Sequence, residues 1–194
     1  MCHQIKITKM FDLKIESEKI LLLGKKSPTP EAQKMIHIAL ESKWEGLQAV
    51  AMKTLGSWGD NESINKLREL LDKSYKKKFG WAIRGVIISA LIKCFRKEDI
   101  SWILDKYFSL YGTLAKHELL PLILRLPVKE IRNTLLLQCH SNDCYNRQAA
   151  MKAIGNMDFP EKESILASFL NDEYSEIREG ARLLLGGLNK NKLK

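Results

Sequence analysis

Apolar residues recur along the chain at three- and four-residue intervals, as at Ile64, Leu67, Leu70 and Leu71. That spacing gathers side chains on one face of a helix. No stretch alternates with the period of two that a half-buried strand needs. Helix-start signals punctuate the pattern. Ser27 and Thr29 stand before Pro30, Asp60 or Asn61 before ESINKLRELLDK, Lys97-Glu98-Asp99 before ISWILDKYFSLY, and Pro127 before VKEIRNTLLLQC. Asp158 and Pro160 open EKESILASFL. Short polar caps and a proline in the first turn both favour helix initiation. The pattern predicts an all-α chain of about eleven helices in antiparallel pairs.

A second, longer period lies over the first. NRQAAMKAIGNM (146–157) returns as IREGARLLLGGL (177–188), 31 residues on. Stepping from Gly155 in both directions gives Gly186, Leu124, Ile92, Gly56 and Gly24. The residue before each is apolar in every copy: Leu23, Leu55, Leu91, Ile123, Ile154 and Leu185. Five before come Lys19, Ala51, Ile87, Leu119, Ala150 and Ala181; two before come Leu22, Thr54, Ala90, Leu122, Ala153 and Leu184. Eight before stand Glu16, Gln48, Arg84, Lys116, Arg147 and Arg178. The slots at one, five and eight before share a helix face. Small residues at five and two before admit a neighbouring helix, and the glycine suits a helix terminus. Pro121 falls inside one copy, which predicts a break, kink or late start between Leu119 and Leu122.

The string Arg147…Ala150…Ala153-Ile154-Gly155…Asp158 resembles the HEAT-like repeat, of the phycobilisome-lyase type among armadillo-like helical repeats. The likeness extends over roughly residues 10–190 and is closest in the last two copies. It implies one domain over 1–194, a short α-solenoid of about five to six pairs stacked into a shared core. The second helices fall near 10–24, 44–57, 80–95, 114–126, 144–157 and 175–188. It also implies that these second helices line the concave face, and that Arg147 and Arg178 bridge to an aspartate in the turn before them, Asp143 and Asp172. It implies no particular chemistry.

Composition narrows the function classes. No apolar run approaches the ~20 residues of a membrane span, and the opening MCHQIKITKMFDLK lacks a signal-peptide pattern. The expectation is a cytoplasmic protein with reduced thiols at Cys2, Cys94, Cys139 and Cys144. In CHSNDC (139–144) the cysteines are spaced too widely for an ordinary zinc pair, and a second pair is lacking. A nucleophilic cysteine wants a positioned histidine, and Cys139 and His140, being adjacent, point apart on a helix. Phosphate-binding, metalloprotease and hydrolase motifs are absent from the sequence. The chain therefore reads as a non-enzyme, with no metal, cofactor or small-molecule substrate indicated.

Charge is the uneven feature. The net charge is +9, and the window from Lys73 to Lys97 holds eight basic residues and no acid. Tyr75, Phe79 and Trp81 are interleaved with them, a mixture that suits a phosphate backbone or a stacked base as well as a merely solvated turn. Lys76, Lys77, Lys78, Lys93, Arg96 and Lys97 are candidates for one partner-binding surface. Lys53 and Lys152, equivalent in the repeat, are candidates on the concave face. Two readings follow. The chain is a scaffold or adaptor that binds another protein, as a subunit of a larger complex, or it is a nucleic-acid-binding module using residues 73–97. A third, a HEAT-like alkylpurine DNA glycosylase, draws on Trp81, Trp102 and Asp105, but Trp102 and Asp105 fall on a helix assigned to the outer layer.

Overall fold

The structure, a computed structural model, describes residues 2–76 and 81–192, with side chains over 13–76 and 82–188. Among these residues it is all-helical, as the periodicity predicts, with no strand. The elements are α1 (Cys2–Leu23), α2 (Pro30–Leu40), α3 (Glu45–Trp58), α4 (Asn61–Lys76), α5 (Trp81–Cys94), α6 (Ile100–Ser109), α7 (Thr113–Ile123), α8 (Val128–Cys139), α9 (Cys144–Asn156), α10 (Lys162–Ser168) and α11 (Ser175–Lys192). They form two compact units, Met1–Phe95 and Arg96–Lys194.

The start signals at Thr29 and Asp60 work as their chemistry requires, whereas Asp158 and Pro160 do not open α10, which begins at Lys162 after Glu161 with no side-chain cap bond. The Thr29 hydroxyl accepts the Ala32 N–H, with Pro30 at the first helical position. The Asp60 carboxylate accepts the Ser63 N–H at 2.8 Å and so caps α4. The Asp143 carboxylate accepts from Tyr145 at the start of α9. Each of these satisfies an N–H that the helix itself leaves orphaned.

In the first unit α3 packs against α1, α2, α4 and α5. In the second, α9 packs against α7, α8, α10 and α11. The odd-numbered helices thus form a row in each unit. The slot five before the repeat mark is buried at Ala51, Ile87, Leu119, Ala150 and Ala181, and the slot one before at Leu55, Leu91, Ile123 and Ile154. The slot three before is the outward one, exposed at Lys53, Ser89, Pro121 and Leu183.

Two expectations are corrected. α7 runs through Pro121 without a break and ends after Ile123, short of Leu126. The proline stands in the last turn, exposed, where its missing N–H forfeits a single backbone bond. Leu124, Arg125 and Leu126 then close the helix with bonds to Leu120, Leu122 and Ile123 at 2.9, 3.2 and 3.0 Å. The repeated glycine ends a helix only at Gly24, directly after α1, and is not a terminator in the other copies. Gly56, Gly155 and Gly186 all lie inside helices, and α11 continues to Lys192. The cap of α3 is Gly59, left-handed at φ 61° with its N–H on Leu55. Gly56 is small for a different reason. A Cβ there would lie 2.8 Å from the Cα, Cβ and carbonyl oxygen of Ala90, so α3 and α5 touch backbone to backbone.

Candidate binding surfaces

The polar slot eight before the repeat mark positions the helix starts. In α3 the Gln48 amide donates to the Ser42 carbonyl at 2.7 Å. In α9 Arg147 donates to the carbonyls of Ser141 and Asn142 at 2.9 and 3.4 Å. In α11 Arg178 donates to those of Asp172 and Glu173 at 2.7 and 2.9 Å. In α7 Lys116 donates to those of Tyr107 and Phe108 at 3.1 and 2.9 Å. Each side chain folds back onto the chain just before its own helix and satisfies carbonyls that have no helical partner.

Two of these cations also reach forward. Arg147 grips the Asp172 carboxylate with Nε at 2.8 Å and an NH2 at 3.0 Å, and meets Glu173 at 2.9 Å. Lys116 donates to Asn146 Oδ1 at 2.7 Å. The expected pairing of Arg147 with Asp143 is therefore corrected. Asp143 is used by its own helix start, and Arg147 takes the aspartate of the following turn. Arg178 takes the main-chain oxygen of Asp172, whose carboxylate is already engaged. The bond from Arg147 holds Asp172 below the usual carboxylate range and raises the guanidinium in return.

With the turns fixed in this way, three tyrosines gather at helix starts in the second unit. Tyr111 lies two residues before α7, Tyr145 is the second residue of α9, and Tyr174 immediately precedes α11. Tyr111 is 85% exposed and Tyr174 45%. The Tyr111 and Tyr145 rings meet edge to face at 5.2 Å, a favourable geometry for their quadrupoles. The Arg147 guanidinium lies 5.4 Å from the Tyr174 ring, so the arginine that ties the turns together also supports this ring. Thr113, Tyr145, Gln148, Tyr174 and Ile177 line a cleft of about 360 Å³ beside them. Leu114, 72% exposed, stands near Tyr111 in sequence at the start of α7.

The tyrosines escape a sequence reading because their own spacings, 34 and 29, miss the 31-residue step. Their common feature is nearness to a helix start, which becomes visible only when the turns are superposed.

The basic candidates divide between the units. Lys76 and Lys93 are exposed on α4 and α5 of the first unit, and Lys53 is exposed on α3. Lys77 and Lys78 lie outside the described residues. Arg84 stacks over Tyr75 at 5.3 Å, and Lys73 pairs with Glu69. Arg96 and Lys97 belong to the second unit. Arg96 is half-buried and lies 3.9 Å from Glu98, while Lys97 pairs with Glu130 at 3.0 Å. Lys152, half-buried on α9, borders a small crevice with His117 and Gln148. Acids just outside the window, Glu69 and Glu98, and one distant in sequence, Glu130, thus partly neutralise a window that carries none of its own.

Cys94 and Cys139 are buried thiols outside any disulfide, and Cys144 is half-buried. Burial pushes the Cys139 thiol up to about 11, away from the range of a reactive thiolate. No group of three or more metal-binding side chains occurs among the described residues. None of their helices is long and apolar enough to cross a membrane. Against models of known protein families and against curated proteins, the chain finds no match.

Proposed function

We propose that the chain is built of HEAT-like helix pairs and serves as a non-catalytic scaffold that binds another protein, using the tyrosine-lined cleft of α7, α9 and α11. The single observation that carries this reading is the set of three tyrosines at helix starts: Tyr145 and Tyr174 line the cleft, and the exposed Tyr111 ring packs against that of Tyr145. Tyrosine gives a large, stiff contact area with few torsions to freeze, and it concentrates at the energetic centres of protein interfaces. The repeat reading is supported by the recurrent burial of equivalent slots and by the row of odd-numbered helices within each unit.

The nucleic-acid reading rests on Lys76 and Lys93, both exposed and unpaired among the described residues. One experiment separates the two. A photo-crosslinking residue placed at Tyr111 or Tyr174 captures the partner in cells, and Tyr111→Ser with Tyr174→Ser abolishes its binding in purified form. Reversal of Lys77, Lys93 and Arg96 to Glu leaves that binding intact. Steeply salt-dependent binding to single-stranded DNA or RNA, lost in the charge-reversed variant and kept in the tyrosine variant, would overturn the scaffold reading.

A further inference from the structure

The first unit carries a second surface, on α1 and α2. Ile15 is 38% exposed, Met35 40% and Ile38 62%. A groove of about 270 Å³ runs between these helices, lined by Glu16, Lys19, Ile20, Met35, Ile38 and Leu47. Isolated surface apolar residues are ordinary, but a contiguous set around a groove marks a contact surface.

The repeat shows what is unusual here. The slot of Lys19 holds a buried Ala or aliphatic residue in every other copy, at Ala51, Ile87, Leu119, Ala150 and Ala181. Only in α1 is it an exposed lysine. One turn before it, Glu16 is exposed too. The pair has opposite signs and helical i, i+3 spacing, and neither residue has an ion-pair partner among the described residues. On α2, Glu31 and Lys34 are exposed at the same spacing. The surface is thus balanced in charge on a chain carrying +9, which disfavours a phosphate backbone or an anionic membrane as its occupant.

A two-fold contact has a specific requirement: if residue i of one copy meets j of the other, j must meet i. Two unlike charges on one helix beside an apolar centre satisfy it. We infer that a second copy of this chain covers the α1–α2 surface as an isologous dimer. Met35 and Ile38 form its apolar centre, and Glu16 of each copy meets Lys19 of its partner. This surface shares no residue with the tyrosine cleft, so either assignment can fail without the other.

The test is sedimentation equilibrium of the full chain over a micromolar concentration series. The wild type is expected to reach twice the monomer mass. Ile38→Glu is expected to remain monomeric with an unchanged helical circular dichroism spectrum. Glu16→Lys and Lys19→Glu each place like charges opposite one another twice, and each is expected to weaken the dimer about tenfold, which is about 1.4 kcal/mol. The decisive signature is recovery. The double swap regains wild-type association, and so does an equimolar mixture of the two single variants, which associate with each other about tenfold more tightly than with themselves. A wild type that stays monomeric overturns the inference, as does a dimer indifferent to Ile38→Glu. Charge swaps that weaken association without either recovery overturn it as well, and they keep the test decisive if Ile38→Glu fails to fold.

Discussion

Arg147 on α9 holds the carboxylate of Asp172, 25 residues later, with two hydrogen bonds of 2.8 and 3.0 Å, and both side chains are more than nine-tenths buried. The same guanidinium satisfies carbonyls of the turn before α9. One side chain thus connects two successive turns, and an arginine suits the task because its planar fork presents several donors at fixed angles. Removing either partner strands the other's charge out of water. Arg147→Ala or Asp172→Ala is expected to cost about 3–5 kcal/mol, and the double variant less than the sum of the two, in denaturant unfolding. Additive effects would show that the pair is not a unit.

The same contact gives an acid limb. Arg147 lowers the Asp172 pKa in the folded state, so its contribution is complete above the ordinary aspartate value of about 3.9 and is lost as pH falls further. Thermal melts between neutral pH and pH ~3 should show a smaller acid loss in Asp172→Asn than in the wild type. An identical acid limb in both would remove Asp172 from that role.

Lys116 gives a limb of opposite position. It is 2% exposed, and burial pushes its ammonium down to about 8, against a partial upward pull from Asp143. Unfolded, the group titrates near 10.4, so between about 8 and 10.4 the unfolded chain binds more protons and stability rises with pH. Cys139, raised to about 11 by burial, works against this from about 8.5 upward. Relative to Lys116→Met, the wild type should therefore gain melting temperature through this window. Relative to Cys139→Ala, it should lose melting temperature. A flat difference in either comparison would contradict the burial of that group.

Three glycines that are equivalent in the repeat should answer differently to alanine. Gly56→Ala pushes its Cβ against the Ala90 backbone at 2.8 Å and should destabilise by about 1–3 kcal/mol. Gly155→Ala meets the mobile end of Leu184 at 2.6 Å and should cost less. Gly186→Ala meets nothing within 4 Å and should stabilise α11 by about 0.5–1 kcal/mol, because glycine loses more backbone freedom in a helix. Equal effects at all three would mean that the repeat, and not the local contact, sets the cost.

Ala150 is wholly buried on α9, at the slot that the repeat reserves for close approach. Ala150→Leu should overpack the second unit and cost about 1–3 kcal/mol by the same denaturant measurement. A wild-type melt would mean that the neighbouring helices can part freely.

The linear pattern was enough to determine the helices, the caps at Thr29 and Asp60, and most of the buried face. Periodicity of three and four is a local property, and Thr29 and Asp60 bond within three residues of themselves. The recurrent sequence slot likewise located Ala51, Ala150 and Ala181 in the core, where small residues at one helical position let a neighbouring helix approach. Tertiary structure decided what lies across a gap in sequence. It gave Arg147 to Asp172 and not to Asp143, set Glu130 against Lys97, and brought Tyr111 to Tyr145. It also separated Gly56 from Gly186, identical in the repeat, by setting Ala90 against one and nothing against the other. A repeat fixes which face turns inward, but the identity of the atom opposite depends on how neighbouring turns and helices are placed, and no period along a single strand of sequence encodes that.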